Sequence, residues 1–501
     1  MRFLLVLLSL IFSPLALAAP RDAVSYALAD VKTLKGGENL FTRYLALDHI
    51  PSPLRKEAIL ATFGLLQAQS LEPTLLNPII VLADGSEAVW PRVNDGDYKV
   101  AVSLRLNLLA YKWDAKIWDK LEAQDHHFHA TALKFFPSQV DAAGKVWKAG
   151  DYPVIVPHPS LNLQEFNALA GYCGGCRAPV LFLDNFVWQT AVQSGRKVGY
   201  YGLQGITSRD AFIKIVGLDL KLATGGFTRE HLAAVAESGI AQEPRRIVMY
   251  EKIGGEAWAT LDNFANEAGE FANPLRILNG GFKHKAEEWF AHGANGWFKV
   301  GLFDADGKIQ ESAPDKIGGD RTSRSNNLRI EVGLSCWRCH IQGGMQPIND
   351  WVRNLYIDSP LKLDPGTVAD VPLVAKLRQQ YLRPIEPRLK DSRERHERAV
   401  QEATGLDHAG WVKYLDAVFH RYDGPVDLAR AGRELGVKEE DLVEALRRYT
   451  DAQPTKTIDT VLSIWLLPKG RQKGIPLSSW TEEVNVAEAA TRGFTLPLRI
   501  K

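Results

Sequence analysis

The segment Cys336-Trp337-Arg338-Cys339-His340 constrains this chain more than any other stretch. It is a C-x-x-C-H pattern, and each position has a chemical requirement. Two thiols at this spacing match the two vinyl groups of a haem and can form a thioether bond to each. The histidine that follows directly then reaches the iron as proximal axial ligand. The pattern predicts one covalent haem c, anchored by Cys336 and Cys339 with His340 on the iron. The blander alternative is a local disulfide or an isolated metal site.

Covalent haem attachment takes place on the outer side of the bacterial inner membrane, and the start of the chain meets that condition. Met1-Arg2-Phe3 supplies a short positive region, and Leu4 to Leu15 an apolar run broken by Ser9, Ser13 and Pro14. Ala16-Leu17-Ala18 is an A-x-A cleavage site. Residues 1–18 therefore read as a secretory signal peptide, too short for a membrane span. No cysteine follows it to carry a lipid anchor, and no later apolar stretch is long enough to cross a bilayer. A periplasmic protein without a transmembrane anchor is expected.

Charge narrows the partners. The chain has 60 Lys and Arg against 59 Asp and Glu, and loss of Arg2 with the signal leaves 59 of each. A balanced surface has no field to recruit nucleic acid or an anionic membrane. A local docking patch for a periplasmic redox partner protein is compatible with it. With 46% hydrophobic and 24% charged residues in 501, the composition is that of a globular chain with several domains.

Periodicity predicts an α+β multidomain fold. Residues 19–240 read as a mixed α/β N-terminal domain, 241–360 as a small β-rich haem-binding domain, and 361–501 as an all-α C-terminal domain. Helices are expected at Glu38 to His49, Leu54 to Gln69, Asp114 to Gln124, Asn162 to Ala170, Val180 to Ser194, Arg209 to Val216 and Arg229 to Ser238. Strands are expected at Pro78 to Ala83, Tyr98 to Leu109, Ile247 to Lys252 and Trp258 to Phe264, with Asp95-Gly96-Asp97 as a turn before the second of them. Trp297 to Asp304, Asp306-Gly307 and Lys308 to Glu311 form a hairpin signal. Beyond Pro360, helices are expected at Val374 to Tyr381, Leu389 to Thr404, Ala409 to Tyr422, Asp427 to Leu435 and Lys438 to Asp451. The last two resemble a helix-turn-helix; in an exported chain of neutral charge they read as a packed helical hairpin.

Two further constellations carry chemistry. Asp125-His126-His127-Phe128-His129 reads as a polar loop, with a structural metal or a haem ligand as alternatives, since the spacing of helical metal motifs is missing. Cys173-Gly174-Gly175-Cys176 is a second C-x-x-C, with Arg177 where a haem site needs histidine. It reads as a disulfide staple, a redox-active dithiol or a metal site. A helix predicted from Val180 would place it near a helix N-terminus, which lowers a thiol pKa.

The sixth position of the iron is open at this level. Methionine is the usual partner of histidine in electron-transfer cytochromes c. After the signal only Met249 and Met345 remain, and none lies downstream of residue 345. Met345 is five residues past His340, a reach of at most about 17 Å that would have to pass round the porphyrin edge. Met249 falls in a predicted strand and reads as core. His284 and His292, upstream in the β-rich segment, are the better pool. Bis-histidine ligation would lower the potential; an open position would permit peroxide or diatomic chemistry.

At this point a family resemblance enters. Gly333-Leu334-Ser335-Cys336-Trp337-Arg338-Cys339-His340 with Asp350-Trp351-Val352-Arg353 resembles the "NGLSCMxCH…GxxxxxDxVR" block of large exported monohaem c-type cytochrome-domain proteins, frequent in planctomycetes and found in other Gram-negative bacteria. Glu243-Pro244-Arg245-Arg246-Ile247 is similar to that family's "EPRRIERH", Phe271-Ala272-Asn273-Pro274-Leu275 to its "IFxNPLGP", and Gly281-Phe282-Lys283-His284 to its "FxHDGGE". The resemblance implies a periplasmic haem carrier with His284 as distal ligand. Lys285-Ala286-Glu287 departs from the family's Gly-Gly-Glu, and Cys173 and Cys176 lie outside its pattern. The expected function is a periplasmic c-type cytochrome that passes single electrons. The alternative is a haem-dependent oxidoreductase acting on peroxide or a small reductant, with an open distal site and a possible coupling to the dithiol.

Overall fold

The computed structural model describes residues 23–47, 50–116, 163–176, 179–187, 200–219, 230–235, 238–264, 283–321, 328–354, 384–451 and 461–476, apart from 242, 253, 315, 331, 342 and 436, together with four short strands between 129 and 157 and a few isolated positions. In chain order the elements are α1 (Ala23–Val31), β1 (Thr42–Ala46), α2 (Ser52–Gln69), β2 (Ile79–Leu82), β3 (Glu87–Ala88), α3 (Asp95–Val100), β4 (Ala101–Asn107), β5 (His129–Thr131), β6 (Ser138–Val140), β7 (Val146–Lys148), β8 (Ile155–Pro157), α4 (Leu163–Tyr172), β9 (Val180–Phe182), α5 (Leu183–Val187), α6 (Tyr200–Gln204) and α7 (Arg209–Ile215). There follow β10 (Glu230–Val235), β11 (Arg245–Lys252), β12 (Gly255–Asp262), β13 (Ala286–His292), β14 (Phe298–Asp304), α8 (Leu334–Cys339), α9 (Trp351–Arg353), α10 (Glu386–Thr404), α11 (His408–Asp423), α12 (Leu428–Leu435) and α13 (Glu439–Asp451). The fold is α+β.

The first sheet has the order β3-β2-β4-β1-β9. Its inner strand β1 pairs antiparallel with β4, Tyr44 opposite Arg105, and parallel with β9, Leu45 opposite Leu181. This corrects the helix expected at Glu38 to His49: only Glu38–Phe41 coil into a 3-10 turn before the strand begins. All five β1 residues are buried, so the segment shows no alternation that would mark it as a strand. The helix expected from Val180 is likewise a strand, β9, followed by the short α5. Conversely, Asp95-Gly96-Asp97 is not a turn but the first turn of α3. Asn94 caps it by accepting from the Gly96 and Asp97 amides, and Asp97 accepts in return from the Asn94 amide.

The second sheet is an antiparallel meander, β10 to β14 in order. The helix expected at Arg229 to Ser238 is its edge strand β10, laddered to β11 from Glu230↔Tyr250 to Val235↔Arg245. Six residue pairs outweigh the helical preference of Leu232-Ala233-Ala234. The expected hairpin after β14 is a turn at Asp304–Lys308 with Gly307 at φ 79° and a single bridge, Phe303↔Ile309. Register assigns the two faces. Met249↔Trp258, Trp258↔Phe290 and Phe290↔Val300 form one row; Arg245, Thr260, Asp262, Glu288 and His292 share that face by alternation. Glu287, Trp289 and Ala291 point the other way.

One continuous core runs from Ala23 to Val418, and a second, smaller one gathers residues from Val426 to Ala487. Helices α10 and α11 pack on α2. Gly64 of α2 permits the contact: a Cβ there would lie 2.1 Å from the Trp411 ring of α11. The expected helix at Val374 to Tyr381 lies outside the described residues, as does nearly all of that at Asp114 to Gln124. No helix among the described residues is long and apolar enough to cross a membrane.

Lys299 is buried on the far face of β14. Its ammonium donates to the carbonyls of Ala68 and Ser70 at the end of α2 and to Gln204 Oε1, at 2.8, 3.0 and 3.0 Å. Burial pushes its pKa down to about 7. A lysine depressed in the fold binds fewer protons there than in the unfolded chain, so stability rises with pH from about 7 towards the ordinary lysine value. Lys299→Met should abolish that rise: urea midpoints of the variant and the parent, compared at pH 7 and pH 9.5, should converge at the lower pH and part at the higher.

Candidate functional site

Cys336-Trp337-Arg338-Cys339 lie in the short helix α8, and His340 is its C-cap. The His340 amide donates to the Cys336 carbonyl at 2.8 Å, a helical bond that fixes the histidine one turn after the first thiol. Gly333, at φ 90°, turns the chain into the helix. Arg338 ties the helix to a neighbouring loop through an ion pair with the buried Asp320.

His340 is buried, and its ring lies 4.3 Å from Phe290 and 5.8 Å from Phe298 between centroids. Its Nδ1 stands 2.8 Å from the Gly344 carbonyl oxygen. A carbonyl only accepts, so Nδ1 carries the proton and Nε2 keeps its lone pair for a metal. Burial also holds the imidazole pKa below its ordinary value, which maintains that neutral form. Cys336 is buried, and its Sγ donates to Glu288 Oε1 at 3.8 Å. Burial and the Glu288 charge push this thiol well above the usual range. It is therefore held as a thiol and does not suit a thiolate metal ligand. Among the described residues, no group of three or more His, Cys, Asp or Glu side chains is arranged to hold a metal ion.

Glu288 also joins the motif to a charged cluster within the sheet. Its Oε2 accepts from Arg245 Nη2 at 2.9 Å, while Arg245 grips Asp262 through Nε and Nη2 at 2.5 and 2.8 Å and donates to Thr260 Oγ1 at 2.7 Å. A small, partly open apolar pocket adjoins this cluster, with Ile240, Leu302, Ile317 and Ile330 among its walls. Thus the donor set fits a covalent haem: two thiols on one short helix and a buried histidine with Nε2 left for the iron.

The loop after the motif rests on α10. Gly343 has φ 72°, and a Cβ on it would lie 2.1 Å from His396 Cγ. His396 is buried against Trp297 and Trp337, with ring centroids 5.2 and 6.2 Å away. Among the described residues neither of its ring nitrogens meets a hydrogen-bonding partner of good geometry, and burial drives its pKa well below the usual value. His396 thus backs the loop that holds His340 Nδ1.

The structure brings Cys336, Cys339 and His340 together and places the other candidates apart. His284 Nε2 lies 2.6 Å from Glu287 Oε1, and Glu287 belongs to the sheet face opposite the motif. His292 is on the motif's face, but its Nδ1 donates to the Gly296 carbonyl at 2.9 Å and its Nε2 faces Ser392 Oγ at 2.7 Å. Met249 is buried in the row that contains Trp258 and Phe290, and Met345 is buried in the loop after the motif. His126 and His127 lie outside the described residues, while His129 opens β5.

Cys173 and Cys176 adjoin the first sheet. They follow the C-terminal end of α4, which corrects the expected position before a helix, because the next element is strand β9. Glu288 and His396 had no motif to announce them as part of this site, and Arg245 stood only in the Glu243–Ile247 segment, with no role assigned to it. The one sequence cue for Glu288 was its even spacing with Phe290 and His292 in a strand. No protein-family model, curated protein or solved structure matches the chain.

Proposed function

We propose that this protein is a periplasmic c-type cytochrome that carries one covalent haem on Cys336, Cys339 and His340 and passes single electrons to and from a redox partner protein. The observation that carries the reading is the buried His340, with Nδ1 bound to the Gly344 carbonyl one loop beyond two thiols on the same helix. A haem held there supplies one-electron chemistry. The chain's own residues would orient the ligand through Gly344, bury the Cys336 anchor beside Glu288, and exclude water with Phe290, Phe298 and Trp337. For the sixth position this reading draws on Met249, the thioether on the motif's face of the sheet, and leaves His284 to Glu287.

A second reading has its own support. Both upstream histidines, His284 and His292, are engaged by protein partners, which favours an open sixth position and hence an oxidoreductase acting on peroxide or a small reductant. The reduced optical spectrum with and without carbon monoxide separates the two. A six-coordinate haem that ignores carbon monoxide supports electron transfer; rapid binding supports the oxidoreductase. His284→Ala should leave the spectrum unchanged, whereas Met249→Leu should convert a non-binding haem into one that binds carbon monoxide. An altered spectrum in His284→Ala would return that histidine to the iron.

A further inference from the structure

The haem site makes no use of the second cysteine pair. After α4 the chain turns through Gly174 and Gly175, at φ 81° and 74°, with the Cys173 amide donating to Leu169 O at 3.0 Å and the Gly175 amide to Ala170 O at 2.9 Å. Cys173 and Cys176 are buried, at 1% and 8% exposure, but both glycines between them are exposed. A Cβ on Gly175 would meet nothing within 4 Å. Gly174 lies against Leu40, whose carbonyl oxygen a Cβ there would meet at 3.3 Å, so the open approach to the pair is over the bare backbone of Gly175.

Beneath the pair lies Arg43, a residue of β1 with 2% exposure. Its Nη1 donates to the carbonyls of Cys173, Thr42 and Leu40 at 3.3, 2.8 and 3.3 Å. Its Nε is buried with no partner, and no carboxylate pairs with this guanidinium among the described residues. A buried cation without a counter-ion is expensive. A thiolate at Cys173 supplies the missing negative charge. The Cys176 thiol donates to the Cys173 sulfur, and that bond together with the Arg43 charge lowers the Cys173 pKa against the opposing effect of burial. This is the reverse of Cys336, which its surroundings hold as a thiol.

We propose that Cys173 and Cys176 form a redox-active dithiol, with Cys173 the thiolate nucleophile held by Arg43, Cys176 the resolving thiol, and a disulfide reached over the Gly174–Gly175 turn as substrate. The Cys173 thiolate attacks one sulfur of a disulfide RSSR, forms a mixed disulfide with it, and releases RS⁻. The Cys176 thiol gives up its proton and attacks the Cys173 sulfur. The second RS⁻ leaves and takes that proton. Two electrons pass from the pair to the substrate, and the pair ends as a disulfide.

The test uses the holoprotein, reduced with dithiothreitol, desalted, and mixed with the aromatic disulfide 5,5′-dithiobis(2-nitrobenzoate), with peptide mapping to locate the label. The parent should release two thionitrobenzoates per chain and finish with Cys173 joined to Cys176. Cys176→Ser should release one and retain the other on Cys173. Arg43→Met should slow the first release at pH 6 by about tenfold, the effect of raising the thiol pKa by one unit, and approach the parent rate at pH 9. Arg43→Lys, which keeps the charge, should stay near the parent and guards against a variant that fails to fold. An oxidised pair that dithiothreitol cannot open is a structural staple and overturns the proposal. So does a parent rate at pH 6 no faster than that of free glutathione.

Discussion

A chain in which Cys336 and Cys339 are both alanine should reach the periplasm with the mass of the bare polypeptide, while the parent carries one haem that survives acid-acetone extraction. The expected loss is complete, because non-covalent contacts from Phe290 and Phe298 do not resist extraction. Each single variant should retain one thioether and yield a shifted haemochrome band, since one vinyl group stays unsaturated. The fold itself should tolerate the change. Removing the Cys336 sulfur leaves a small cavity and frees Glu288 Oε1 from its contact with Sγ, a cost of about 1–2 kcal/mol. Circular dichroism of the double variant then separates lost attachment from lost folding. A parent chain that carries no extraction-resistant haem when produced in a host that matures cytochromes c would sink the proposed function.

Arg245→Met should destabilise the protein by about 3–5 kcal/mol, because it strands two buried carboxylates. Asp262 and Glu288 are 4% exposed and both depend on the one guanidinium. The pH dependence distinguishes this account from simple loss of packing. Burial already raises the Asp262 pKa, with Arg245 pulling it back down. Without Arg245 the carboxyl rises further, so the folded chain binds protons that the unfolded chain releases. Stability of the variant then falls as pH rises above the ordinary carboxylate range. Urea denaturation at pH 4 and pH 7 should show a smaller deficit at the lower pH, and adding Asp262→Asn should recover part of the loss at pH 7. An equal deficit at both pH values would mean that charge is not the cause.

Some elements were legible in the sequence because a local pattern decided them. Ser52–Gln69 has an apolar stripe at helical spacing and Pro53 just inside its start, and α10 ends at Gly405 with φ 72°. Others carried no local signature. Leu232-Ala233-Ala234 is as helical as any segment here until β11 offers it a ladder. Thr42–Ala46 is buried on both faces and shows no period. In the site, His284 was the histidine singled out by resemblance alone, yet a carboxylate three residues on engages its ring. His396 lies 56 positions beyond His340 and reaches the site only because α10 packs beneath the motif loop.

The sequence by itself determined the chemistry that depends on short covalent spacing: two thiols and a histidine within five residues, and a second pair with two glycines between. Such groups are neighbours whatever the rest of the chain does. Tertiary structure decided everything that depends on environment. It buried Cys336 beside a carboxylate, and set Cys173 against the Cys176 thiol with a guanidinium beneath, and so pushed two thiols of the same spacing in opposite directions. It also turned His284 to Glu287 and put Met249 on the face that carries the motif. Those outcomes follow from strand register and burial, in which residues far apart in the chain set one another's charge, and no local run of sequence encodes them.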